Sequence, residues 1–263
     1  GNKVTGAGFI NKNGQKLLVY AAITIDATDL GDVFAGAEAK YDVGMEDPND
    51  SKEKEAIEKN NIIQDITWAA ILKDYGAGAD KTIMMPDNYN ASKYECSTAD
   101  APCNDKPYTL HTQKVLDYGK LTTVDTVVKK YMLNWPPHGN DTYLDLIEIK
   151  PLQREPLYKT AKDNTLGFIY FLQTKLGFKH IGPAEDELNK GMALIPYHRE
   201  GRRVRGVVRL NIEHIKTPYG FNLYKTGIAV GDYPVDHHHG QYPGNVPPIQ
   251  FPPVPAFNIP MGA

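Results

Sequence analysis

Residues 3–32 read KVTGAGFINKNGQKLLVYAAITIDATDLGD, and their pattern sets the fold class. Asn13-Gly14 tolerates positive φ and marks a hairpin turn between KVTGAGFI and QKLLVY. AAITI (21–25) is apolar and partly β-branched, the composition of a strand buried on both faces. Asp26 to Asp32 then form a turn, and VFAGAEAKYDVG (33–44) suits a short helix. Strands leading into a helix predict an α+β fold, with a mixed or antiparallel central sheet and packed helices. The expected sheet joins residues 3–27 to residues 197–230.

Further along, DPNDSKEKEAIEKN (47–60) is a solvated, charged stretch. IIQDITWAAILKDYG (62–76) places Ile62, Ile63, Ile66, Ala69, Ala70 and Leu72 near helical spacing, although its β-branched first half also suits a strand. Residues 76–112 read as loop, and a helix is expected within 113–131 around TTVDTVVKKYML. AKDNTLGFIYFLQTKLGF (161–178) is the clearest helix. Leu166, Ile169, Tyr170, Leu172 and Leu176 share one face, and Asp163 or Asn164 is the expected cap. Residues 207–230 read as strands, and PGNVPPIQFPPVPAFNIPMGA (243–263) as a proline-rich extension. The expected division is 1–46, a β-meander with a strand-turn-helix, and 47–263, a central domain carrying that extension.

The totals narrow the function. The chain has 263 residues, 41% of them hydrophobic, and a net charge of -3. A nucleic-acid partner calls for a basic face, and here the basic residues are dispersed except near 199–205. No apolar run reaches the roughly 18 residues of a membrane span. Cys96 and Cys103 sit in YECSTADAPCNDKPY. They read either as a disulfide stapling a surface loop, which implies a periplasmic or secreted protein, or as two free thiols, which leaves the cytoplasm open.

Positive charge concentrates in YHREGRRVRGVVRL (197–210), which holds Arg199, Arg202, Arg203, Arg205 and Arg209. An arginine fork binds carboxylates bidentately. The same residues would equally serve an internal ion-pair network with Glu200. Arg205 and Arg209 alternate with apolar residues and are expected to face solvent. Arg202 and Arg203 are adjacent on an extended segment, so their side chains point to opposite faces and take different roles. DYPVDHHHG (232–240) offers Asp236 and His237 to His239. Adjacent histidines on a strand point to opposite faces, so no metal site is expected. A histidine with a near-neutral pKa, oriented by Asp236, suits a general base, and surface histidines are the plain alternative. WPPHGND (135–141) offers Trp135, His138, Asn140 and Asp141 for a sugar or cofactor contact, or is simply a turn-rich loop.

ITIDATDLGD (23–32), YHREGRRVRGVVRL, GIAVGDYPVDHHH (227–239) and FNIPMGA (257–263) together resemble, in order, four segments of glutathione-reductase-like FAD-dependent oxidoreductases. Those segments are the Asp-Ala-Thr-then-Gly-Asp strand end, Arg-Glu-Ser-Arg-Arg-apolar-x-Gly, Gly-x-Tyr-Pro-apolar-Asp-x-His and Ile-Pro-x-Gly. The resemblance implies that Asp26, Ala27, Thr28, Gly31 and Arg199 face FAD. It assigns Arg202, Arg203, His237 and Asp236 to catalysis, with hydride passing from a small substrate, sugar-derived compounds among the candidates, to the flavin. There are departures. The Gly-x-Gly-x-x-Gly loop is absent, GAGAD (76–80) lacks its third glycine, and Gly201 stands where that family often has Ser. The expectation is therefore a central portion of a larger Rossmann-type flavoenzyme that binds FAD weakly or not at all by itself. Its oligomeric state is left open. The competing reading, supported by 16 tyrosines, is an extracellular carbohydrate-active protein, either a polysaccharide lyase or a sugar-binding module.

Overall fold

The computed structural model describes residues 3–51, 53, 58–121, 129–231, 236–244 and 257–260. The chain divides into two compact units. One is built of residues 1–63, 200–237 and 246–263, the other of 64–199 and 238–245. The fold is α+β, and every strand pair in the described sheets is antiparallel.

The first unit opens with the expected hairpin. β1 (Gly6–Ile10) pairs with β2 (Lys16–Tyr20) in the register Gly6↔Tyr20. Gly14 takes φ 78°, and the Asn11 side chain accepts the amides of Asn13 and Gln15 across the turn. Ala21–Ile25, however, is not a buried strand, since Ile23 is 80% and Ile25 82% exposed. β-branching favours extended backbone, but a strand also needs a partner, and among the described residues the run's backbone pairing ends with the Ala21 amide donating to the Thr5 carbonyl. α1 (Asp32–Gly36), β3 (Tyr41–Asp42) and α2 (Pro48–Ser51) follow.

The second unit carries the main core. β4 (Ile66–Thr67) and β5 (Ala70–Asp74) replace the helix that spacing suggests for 62–76. Ala70 and Leu72 are buried while Ile71 and Lys73 are half-buried, so a period of two prevails over helical spacing. After α3 (Thr112–Tyr118) come β6 (Lys120–Leu121) and β7 (Lys130–Leu133), so the end of the expected TTVDTVVKKYML helix is strand. Residues 122–128 of that segment lie outside the described ones. β8 (Asp141–Thr142) pairs with β4, and the four-stranded sheet runs β6-β7-β5-β9, with β9 at Ile181–Pro183.

α4 (Glu155–Thr174) packs on β4, β8 and β9 rather than on strands from 3–27 and 197–230. It starts one helical turn or more before Asp163 and Asn164. Pro156 opens it, as proline at a first turn loses no helical hydrogen bond. Phe168, Ile169, Phe171 and Leu172 point into a core with Leu72, Leu116, Tyr131 and Leu133. Gly167 sits where a Cβ would lie 2.2 Å from Tyr94 Oη, so a mid-helix glycine admits the Tyr94 ring. Cys96 and Cys103 form a disulfide that closes the neighbouring loop.

The chain then returns to the first unit. β10 (Arg203–Val204) pairs with β3, not with the 3–27 hairpin. Residues 207–230 are mostly not strand. Asn211 caps α5 (Ile212–Lys216) by accepting the amides of Glu213 and His214, and 3-10 turns follow at Pro218–Gly220 and Asn222–Thr226. Only β11 (Gly227–Gly231) forms there, paired with β12 (Phe257–Pro260). Among the described residues no helix is long and apolar enough to cross a membrane.

Candidate functional site

In the first unit the Asp26–Asp32 turn is tied down by its own side chains. Asp26 Oδ1 accepts the Thr28 amide at 2.9 Å and the Thr28 hydroxyl at 2.7 Å. Asp26 Oδ2 accepts the Phe34 amide at 2.8 Å, so its carboxylate caps α1 from outside the helix. Thr28 Oγ1 in turn accepts the Asp32 amide at 2.8 Å. Partial burial pushes the Asp26 carboxyl up, but the bonds from Thr28 and Phe34 outweigh it, and its pKa falls below the ordinary value. Ala27 and Thr28 are exposed, and Gly31 is buried with φ 70° beside the Phe34 ring.

A groove of about 960 Å³ runs beside this turn, lined by residues 3–8 and by Thr24, Asp26, Asp32 and Glu38. Thr24 Oγ1 is buried there with no partner among the described residues.

The arginine stretch holds the turn from behind. Arg202 Nη1 donates to Leu30 O and to Asp32 Oδ1, both at 2.9 Å, and its guanidinium lies over the Tyr41 ring. Arg203 diverges as its adjacency requires. It bonds Glu200 at 2.6 Å, Glu46 at 3.4 Å and the Gly44 carbonyl. Arg205 and Arg209 do not simply face solvent. Both pair with Asp42, whose buried carboxylate would otherwise be an uncompensated charge. Gly201 touches the turn closely, since a Cβ there would lie 2.5 Å from Asp29 O.

In the second unit a buried polar constellation gathers residues from four distant segments. Asn140, fully buried, accepts the Trp135 amide and donates to the carbonyls of Trp68 and Leu133, which fixes the WPPHGND loop. That places Asp141 on β8 directly opposite Thr67 on β4, and the Thr67 hydroxyl donates to Asp141 Oδ1. Arg199, its side chain 7% exposed, donates to Asp65 O and Thr67 Oγ1 at 2.8 Å and reaches Asp141 Oδ1 at 3.3 Å. His238 Nδ1 lies 3.3 Å from Asp141 Oδ2, and the His238 backbone is held by Gln64 and Asp65. Asp65 Oδ2 accepts the Gln241 amide at 3.0 Å, while its Oδ1 is buried with no partner among the described residues.

Burial pushes the Asp65 carboxyl up to about 6, and Asp141 adds to the rise, against the Gln241 amide, Arg199 and His238. A carboxyl raised on folding favours the fold at low pH, where it is protonated. As pH climbs from the ordinary 3.8 to about 6 the fold loses that advantage. Relative to Asp65→Asn, the protein is expected to lose about 3 kcal/mol of stability across this window, at about 1.4 kcal/mol per pKa unit. Urea melts of both proteins from about pH 4 to 7 check this. Parallel curves would refute it.

Sequence reasoning nominated Arg199 but missed Asp65, Thr67 and the particular pairing of His238 with Asp141. Asp236 is exposed and His237 half-buried, and both belong to the first unit. The three-histidine run signals a candidate base without indicating which ring meets a carboxylate, because the partner lies 97 residues away.

A family model described as FAD dependent oxidoreductase matches residues 1–263. Comparisons with curated proteins and with solved structures give no match. The family match gives no support to the carbohydrate-active reading.

Proposed function

The chain belongs to the FAD-dependent oxidoreductase family, and on that premise we propose that it oxidises a small hydroxyl-bearing substrate within a larger, Rossmann-type, glutathione-reductase-like flavoenzyme. The observation that carries the catalytic part is the pair of buried Asp141 and half-buried His238, braced by Arg199.

Asp141 and His238 suit base catalysis. A carboxylate on Nδ1–H selects the imidazole tautomer whose Nε2 carries a lone pair, the atom that takes a hydroxyl proton. His238 is then the general base and Asp141 its orienting partner. Arg199, committed to Asp141, Thr67 and Asp65, is a positioning residue. FAD, when bound, supplies the two-electron acceptor. The Cys96–Cys103 disulfide favours an oxidising compartment, periplasmic or extracellular.

The Asp26–Gly31 turn and its groove fit only part of the cofactor. A diphosphate needs N–H donors and cations, and the helix start that could offer them is already occupied by the Asp26 carboxylate. The charged groups lining the groove are mainly acidic: Asp26, Asp32 and Glu38 against Lys3. Ribose hydroxyls and adenine edges suit this lining, with Thr24 Oγ1 and the exposed Ala27–Thr28 segment as contacts. Arg202 keeps the turn in place through Leu30 and Asp32.

FAD is therefore held weakly by these residues alone, through its adenosine half. In a fluorescence titration of the flavin-free protein, adenosine is expected to displace FAD, and Arg202→Ala to weaken both ligands at least tenfold, about 1.4 kcal/mol. Tight FAD binding that adenosine leaves untouched would refute the assignment.

A further inference from the structure

The geometry points to a binding pocket in the second unit for a neutral polyhydroxylated ligand of monosaccharide or cyclitol size. It deepens the flavoenzyme reading by naming a substrate class, and it rests on that reading. The pocket measures about 330 Å³ and reaches the pair through Asp141, which lines it together with Gln241, while the His238 ring is not part of its wall. That volume lies in the range of small-ligand sites, roughly 300–1,000 Å³.

Its lining excludes other ligand classes. Among the described residues no Leu, Ile, Val or Met side chain contributes to the wall, so an apolar ligand has little to bury against. The charges cancel. Asp163 is paired with Lys159 at 2.6 Å and Asp141 with Arg199 at 3.3 Å, leaving Asp87 and Lys93, of opposite sign. A phosphate finds three carboxylates on its wall and one lysine, and a polyamine finds two of those carboxylates already neutralised.

What remains is a ring of short-range donors and acceptors beside aromatic surface. Tyr143 is braced edge-on by Tyr242, with ring centroids 4.8 Å apart. Sugar rings present C–H faces to aromatic rings and hydroxyls to carboxylates, amides and imidazoles, which is this combination. Backbone conformation adds an independent sign. Asn88 at φ 57° and His138 at φ 50° are both left-handed non-glycine residues, and both line the pocket. Such conformations cost free energy and collect at ligand sites.

The test uses ligand-observed NMR on the protein with D-glucose, D-galactose and myo-inositol as probes, and inorganic phosphate and benzoate as contrasts. At least one hydroxylated probe is expected to bind, and Asp87→Ala or His138→Gly to weaken it at least tenfold. Both residues are exposed, and glycine accepts the left-handed backbone, so the fold survives either change. Three results would overturn the inference: no hydroxylated probe binds, binding persists unchanged in both variants, or phosphate or benzoate displaces the sugar. FAD titration of the same samples separates the two readings. Sugar binding without FAD binding removes the flavin assignment and leaves the pocket. FAD binding without sugar binding removes the pocket alone.

Discussion

Replacing Asp141 with alanine is expected to destabilise the protein by about 3–5 kcal/mol, the cost of leaving a buried charge without its partner. Asp141 is 3% exposed and serves three groups at once: the Arg199 guanidinium, the Thr67 hydroxyl and the His238 ring. Without it, a cation that is itself buried keeps the Asp65 carbonyl, the Thr67 hydroxyl and the face of the Tyr197 ring, but no bonded carboxylate. Asp141→Asn retains the shape and one acceptor, so its loss should be about half as large. Arg199→Met added to Asp141→Ala should restore stability, because well-packed apolar groups in place of a buried ion pair are often neutral or stabilising. Denaturant melts of the two single variants and the double variant measure the coupling directly. A loss under about 1 kcal/mol in Asp141→Ala would show an ordinary surface pair instead.

His238→Gln is expected to lower the rate of substrate oxidation by about 10²–10⁴-fold, the usual contribution of a positioned general base. Glutamine can still bond Asp141, so stability should change little while proton removal is lost. The measurement is anaerobic single-turnover bleaching of the flavin-loaded protein, with any alcohol or sugar that reduces the wild type. At raised pH the substrate hydroxyl ionises more readily without help, so the deficit should shrink there. A merely structural histidine would show no such recovery. A rate within threefold of wild type would sink the assignment. The same assay on His237→Ala discriminates between the neighbouring histidines.

Local chemistry made some of this architecture readable in advance. Asn13-Gly14 announced its hairpin because two residues tolerant of positive φ have few other uses between apolar runs. The 3.6-residue spacing of α4 picked out Ile169 and Leu172 but set Leu166, Tyr170 and Leu176 beside them, whereas Phe168 and Phe171 are the ones fully buried. The closeness of Cys96 and Cys103 in sequence left disulfide and free thiols open, and the structure has the disulfide. The misread segments turn on long-range pairing. Ala69–Leu72 satisfies a helical and a strand pattern alike, and only β7 and β9 on either side decide for strand. AAITI has strand composition without a strand partner among the described residues. The buried constellation was the least legible part, because Asp65, Asp141, Arg199 and His238 come from four segments that no local pattern links. The arginine-rich stretch did advertise its charge. Three of its partners, Asp32, Asp42 and Glu46, lie more than 150 residues earlier in the chain.

The close approach of Gly201 to the carbonyl of Asp29 has a consequence for exchange of parts between related chains. A side chain at 201 and the present course of the Asp29–Leu30 backbone cannot coexist without displacement, because the atom met is main chain and has no rotamer to yield. The two positions, some 170 residues apart in sequence, therefore form one heritable module. A serine introduced at 201 would demand a retracted turn, and a turn grafted from elsewhere would open a void over the glycine. Recombinants that inherit both together should fold, while those that inherit only one carry a mismatch beside the Asp26–Asp32 turn.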